Sequence, residues 1–203
     1  MVTQLVTQLH GQQQASPWVQ RWSHLLRAGG TVLDVACGQG RHTRWFTNRG
    51  HLVTGVDRSR EALDSLSDLA SDGRARLVQA DIENGPWPFM DGKQLGQFDA
   101  VVVTNYLWRP LLPLIVQSLA MNGVLLYETF AVGNAGVGKP SRPDFLLAPG
   151  ELLLLCSGLR IVAYEDGFLE SPARFVQRIA AIRTPANADI GHADAVTHLR
   201  YPL

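Results

Sequence analysis

Cysteine is scarce in this 203-residue chain: only Cys37 and Cys156 occur, with no CxxC pair. That excludes a disulfide scaffold and a thiolate metal knuckle, and it fits a reducing compartment. Long apolar runs are missing as well. No window holds the roughly 18 apolar residues that a membrane helix needs. The opening MVTQLVTQLHGQQQ has neither the basic stretch nor the apolar core of a secretory leader. An excess of either charge is also lacking, since 18 Lys and Arg balance 18 Asp and Glu. A balanced chain has no general field that would draw it to phosphate backbones or anionic lipid. The expectation is therefore a cytoplasmic protein with neither nucleic acid nor membrane as partner, its oligomeric state left open. Six histidines (10, 24, 42, 51, 192 and 198) show no metal-ligand spacing, so no metal is expected.

What is present is globular: 46% hydrophobic and 18% charged residues. The length suits one domain, expected over residues 16–183 between a Gln-rich N-terminal tail (1–15) and a C-terminal tail (184–203). Ser16-Pro17 reads as a helix start, with Ser as cap and Pro in the first turn. Apolar runs at 31–36, 52–56, 76–79, 100–103 and 123–127 read as strands, separated by helical segments at 41–48, 59–70 and 111–119. Continuous Val/Leu runs alternating with helices predict an α/β, Rossmann-like, doubly wound and mostly parallel sheet with helices on both faces. Ligands of such sheets sit at the carboxyl ends of the strands. Residues 131–149 are rich in Gly and Pro and read as a loop, followed by a helix over 149–156. Residues 159–168 and 174–183 read as a hairpin at one side of the sheet.

The stretch VLDVACGQGRHTR, from Val32 to Arg44, runs a buried strand straight into Gly38-Gln39-Gly40 and then a helix. Glycines permit a positive φ and a close backbone approach to a ligand, and the helix start adds free N–H groups. The dinucleotide fingerprint wants a third glycine where Thr43 stands. Asp34, just before the turn, would repel a pyrophosphate but not a ligand with a cationic amino-acid end. S-adenosylmethionine has such an end and no phosphate. Asp57 closes the second strand, where a carboxylate can accept both ribose hydroxyls. Asp81 closes the third, within reach of an adenine amino group.

These residues together resemble the class I S-adenosylmethionine-dependent methyltransferases. LDVACGQGRHT is similar to their glycine motif, Asp57 to their ribose acid and Asp81-Ile82 to their adenine-side motif. SPWVQRW, GVDRS and YETF…GKPSRPDFLLAPGELL resemble a small bacterial branch often labelled tellurite-resistance or thiol-methyltransferase-like. The resemblance implies a seven-stranded sheet with an antiparallel last strand and S-adenosylmethionine over the first two strands. It implies a cofactor site made of Asp34, Ala36, Gly38, Gly40, His42, Asp57, Arg58, Asp81, Ile82 and Asn105. Asn105-Tyr106 is not followed by Pro-Pro, so the arrangement that holds a nucleobase or amide nitrogen in other methyltransferases is absent.

The acceptor is expected to be a small molecule: a thiol, a metalloid oxyanion or similar. Arg21 on the first helix, and Tyr106, Arg109, Tyr127, Glu128 and Arg142 by the strand-end rule, are the expected substrate residues. A thiolate would need no dedicated base; an oxygen acceptor would, with Glu128 or His42 as candidates. Two other readings stand beside this one: a nicotinamide-dependent oxidoreductase using the same Asp57, and a non-catalytic S-adenosylmethionine binder. Gly133 to Lys139 fits GxxxxGK, but Pro140 stands where a phosphate loop needs Ser or Thr for magnesium. A working phosphate loop is therefore not expected there.

Overall fold

In a computed structural model of the protein, residues 14–185 are described. The two expected tails lie almost wholly outside that range, as do His10, His192 and His198. Ala15, counted with the tail in the sequence, is buried. Seven strands form one sheet: β1 (Thr31–Val35), β2 (Leu52–Asp57), β3 (Ala75–Gln79), β6 (Phe98–Thr104), β7 (Leu119–Phe130), β8 (Arg160–Glu170) and β9 (Ala173–Ile182). A two-stranded hairpin, β4 (Met90–Asp91) and β5 (Gln94–Leu95), stands apart from it and has no counterpart in the sequence expectation. The sheet order is β3-β2-β1-β6-β7-β9-β8. All neighbours are parallel except β9, which runs antiparallel to both β7 and β8. The expected Rossmann-like sheet with an antiparallel last strand is therefore the observed one.

Alternating residues of the central strands are buried on both faces, as a sheet sandwiched between helices requires. Val32, Val102 and Leu126 pack under α1 (Pro17–Trp22) and α2 (Arg41–Thr47), against Trp18, Trp22 and Phe46. Leu33, Val101 and Leu125 face the other way, toward Ile115 of α5 (Leu112–Gln117) and Leu152 of α6 (Glu151–Leu155). Ser16 caps α1 by accepting from the Trp18 N–H at 3.1 Å, and the Trp18 indole donates to the Ile179 carbonyl at 3.2 Å. Trp18 and Trp22 are thus core residues of that helix.

The helix expected over 59–70 is two short ones, α3 (Arg60–Asp64) and α4 (Ser67–Ser71). Ser59 does cap the first, accepting from the Ala62 N–H at 3.2 Å. Leu66 breaks the run at φ −109°, ψ 9° and is fully buried. β7 is also longer than its apolar run, because pairing with β9 continues to Phe130↔Val176. The 131–149 loop leaves from that extended end. Its base is stitched shut by Val132 N–H to the Leu147 carbonyl at 2.9 Å and Leu147 N–H to the Phe130 carbonyl at 2.9 Å. Buried Asn134 pins its interior, donating to the Pro140 carbonyl and accepting from the Phe175 N–H. No helix among the described residues is long and apolar enough to cross a membrane.

Candidate cofactor and acceptor site

The turn between β1 and α2 carries three positive φ values: Ala36 at 52°, Gly38 at 53° and Gly40 at 74°. Gly40 is forced twice over, since a Cβ there would lie 2.4 Å from a Leu66 methyl that is itself packed in the core. At Gly38 a Cβ would meet nothing within 4 Å, so this glycine supplies the turn and leaves open space beside it. Asp57 ties the turn to β2: one carboxylate oxygen accepts from the Gly38 N–H and the other from the Ser59 N–H, each at 2.8 Å. Each oxygen keeps a further lone pair for a ligand.

Two adjoining cavities open here and share Ala36. One, of about 140 Å³, is lined by Asp57, Arg58, Asp81, Ile82, Glu83 and Tyr106 among others. The second, of about 440 Å³, is lined by the Gly38–Gly40 turn with Arg41, His42, Thr104 and Asn105. Nine of the ten expected cofactor residues line one or other cavity. The tenth, Asp34, lies beneath the turn, 2% exposed, where it accepts from the Thr43 hydroxyl at 2.7 Å. Arg41, Thr104 and Glu83 line the cavities and were not singled out in the sequence.

Of the six expected substrate residues, Tyr106 lines one of these two cavities and the other five line neither. Its hydroxyl is buried with no hydrogen-bond partner among the described residues, and burial, then the nearby Glu83 charge, pushes its pKa up. Tyr127 is wholly buried in the core, its hydroxyl donating to the Tyr106 carbonyl at 2.9 Å. Arg109 makes a two-pronged pair with Glu151 and bonds to the Asp144 and Leu146 carbonyls, which clamp the loop to α6. Arg142 pairs with Asp144 and covers the Phe145 ring, and Arg21 faces Trp22 and Glu165; neither lines the two cavities. Glu128 is 0% exposed and accepts from the Ser16 hydroxyl at 3.1 Å and from Arg174 and Arg178 at 3.4 Å each.

His42 is buried and accepts the Ser16 N–H at its Nε2, 3.1 Å away. That bond places the ring proton on Nδ1, facing the Thr104 hydroxyl at 3.4 Å. Burial, then the Arg41 charge, holds its pKa down to about 3. Asp81 is exposed and satisfied within its own turn, accepting from the Asn84 side chain and from the Glu83 and Asn84 N–H groups. Those bonds, the Asn84 side chain first, lower its pKa.

Asp34 and His42 pull stability in opposite directions with pH. Burial raises the Asp34 pKa to about 6, so its contribution is fully present below about pH 4 and lost as pH rises toward 6. The lowered pKa of His42 makes its contribution present above about pH 6.5 and lost as pH falls toward 3. Asp34→Asn removes the first and leaves the second. Its urea midpoint is expected to exceed that of the parent at pH 7 and to fall more steeply on acidification to pH 4.5. Parallel pH profiles for the two proteins would contradict the burial assigned to the Asp34 carboxyl.

A mostly parallel sheet with one antiparallel strand, a glycine turn after β1, and acids at the end of β2 and beyond β3 make a Rossmann-like domain, whose ligands sit at the carboxyl ends of the strands. Residues 32–121 match a family model described as a methyltransferase domain. The chain is 32% identical over 144 residues to the tRNA U34 carboxymethyltransferase of Edwardsiella ictaluri, covering 62% of this chain and 42% of that protein. It thus spans less than half the length of that curated relative. Among solved structures, TehB from Haemophilus influenzae superposes with a TM-score of 0.64 at 19% identity, over 82% of this chain and 61% of that one. The 1,6-didemethyltoxoflavin-N1-methyltransferase of Burkholderia thailandensis, solved with bound 1,6-didemethyltoxoflavin and S-adenosylhomocysteine, gives a TM-score of 0.59 at 20% identity over 83% of this chain and 79% of that one. Residues 32–121 thus match a methyltransferase domain, and the fold of the described residues is TehB-like.

Proposed function

We propose that the protein transfers a methyl group from S-adenosylmethionine to a small-molecule acceptor, a thiol, metalloid oxyanion or similar. The observation that carries this reading is the Asp57-stapled glycine turn, with open space at Gly38 and two adjoining cavities that share Ala36. Asp57 accepts the ribose hydroxyls, and Asp81 and Ile82 border the adenine. The turn from Ala36 to Gly40, with Asn105 and His42, takes the amino-acid end. The cofactor supplies a methyl already activated on a sulfonium. The protein's task is alignment in a water-poor site, which in favourable systems is worth on the order of 7–11 kcal/mol.

Neither base named from the sequence suits that role. The Nε2 lone pair of His42 is occupied by the Ser16 N–H and its pKa is low. Glu128 is enclosed by two guanidinium groups and a hydroxyl. An acceptor that is already ionised, or ionises by itself near neutrality, fits such a site best.

A second reading is favoured by the relative of 32% identity, whose name gives a tRNA uridine as its target. The balanced charge of this chain supports the small acceptor instead. Incubation with methyl-labelled S-adenosylmethionine separates them, using thiols, phenols, carboxylates, metalloid oxyanions and unmodified tRNA, the tRNA also with a labelled carboxymethyl-sulfonium analogue of the cofactor. Label and S-adenosylhomocysteine are expected with a small acceptor and not with tRNA. Label confined to tRNA would support the second reading. Cofactor binding with no product on any acceptor would leave a non-catalytic binder.

A further inference from the structure

Thr104, Glu128, Arg178 and Glu165 stand side by side across β6, β7, β9 and β8, in one register row of the sheet. Arg178 is fully used in that row: it pairs with Glu165 and Glu128 and lies 4.9 Å from the Trp18 ring centre. Arg174, two places along the same face of β9, is not. Its Nη2 is 3.4 Å from Glu128, while its Nε is buried without a partner. Arg41, first residue of α2, lines the larger cavity and has one long contact, 3.5 Å to the Thr104 hydroxyl. No carboxylate among the described residues lies within 4 Å of it. Three guanidinium groups thus surround one wholly buried carboxylate of the sheet, Glu128, with Glu165 at the exposed rim taken by Arg178. Arg41 feels Glu128 and, from beneath the turn, Asp34 as opposite charges and Arg174 as a like one, with neither carboxylate in contact. Buried charges persist when paired, so this surplus calls for an anion.

We infer that Arg41 and Arg174 form an anion subsite that holds the carboxylate or oxyanion of a negatively charged methyl acceptor. The inference rests on the methyltransferase reading above and narrows its substrate class. Guanidinium groups suit planar, multi-oxygen anions because their N–H donors form a fixed fork. Glu128 is a positioning residue here: it pairs with Arg174 and stands in register with Thr104, the residue that Arg41 contacts at the cavity.

Calorimetry on protein saturated with S-adenosylhomocysteine, using inorganic sulfate and mercaptoacetate as probes, tests this. Both are expected to bind. Arg174→Gln and, separately, Arg41→Gln should each weaken them at least tenfold, and Arg174→Lys should weaken them less. S-adenosylhomocysteine affinity should change by less than threefold in the two Arg174 variants, and in Arg41→Gln by less than the anion affinity does; all three are shown to be folded by circular dichroism. Failure of the parent to bind either anion would overturn the inference. So would unchanged anion affinity in both Gln variants, or an equal loss of S-adenosylhomocysteine affinity, which would assign the arginines to the cofactor. Should S-adenosylhomocysteine itself not bind, the methyltransferase reading fails, and the same anion titrations on the free protein still decide the arginine pair.

Discussion

Glu128→Ala is expected to destabilise the protein by about 3–5 kcal/mol, the loss typical when one member of a buried ion pair is removed. Its carboxylate is wholly buried, and it is the sole carboxylate paired with Arg174 among the described residues. Arg178 keeps Glu165, so the loss falls mainly on Arg174, whose side chain is 16% exposed. The Ser16 hydroxyl loses an acceptor as well, which loosens the start of α1 over the sheet. Urea unfolding at neutral pH measures the loss. Combining the change with Arg174→Met should recover part of it, because the orphaned charge goes too. A loss below 1 kcal/mol, with no recovery in the double variant, would mean that water already screens the cluster.

Asp57→Ala is expected to weaken S-adenosylhomocysteine binding by about 2–3 kcal/mol, the upper range for hydrogen bonds made by a charged acceptor. Two effects add. The ribose hydroxyls lose their carboxylate, and the Gly38 and Ser59 N–H groups lose the acceptor that fixes the glycine turn. Asp57→Asn keeps one acceptor oxygen and should fall between the two. The free protein should lose far less stability than ligand affinity, since Asp57 is only half-buried. Calorimetry checks the affinity and urea unfolding the stability. Equal binding by the parent and Asp57→Ala would remove the acid from the ribose role.

The parts of this account legible in the sequence are those set by local chemistry. The glycine turn could be read because positive φ and close packing at Gly40 admit little else. The acids at the strand ends could be read because strands announce their limits by apolar runs. Ala36 shows the boundary of that method: it adopts φ 52° with no glycine to announce it. Tyr127 and Glu128 were placed at a strand end because the apolar run stops there. Pairing with β9 carries β7 on to Phe130 and draws both residues inside. A partner 50 residues away in sequence, Arg178 opposite Glu128, decides that, and no local pattern contains it. Leu66 likewise breaks a helix-forming segment at the point where it packs against Gly40. Arg109 was drawn to the acceptor by position alone, and Glu151 claims it. Arg41 had a signal, standing directly after the second glycine, whereas Arg174 had none short of the fold.

Titration of the parent protein with S-adenosylhomocysteine and, separately, NADH tests the central claim most directly. The open Gly38 turn stapled by Asp57, with an acid beneath it, predicts one equivalent of S-adenosylhomocysteine bound and no heat from NADH. NADH binding without S-adenosylhomocysteine, or no binding of either, would contradict it.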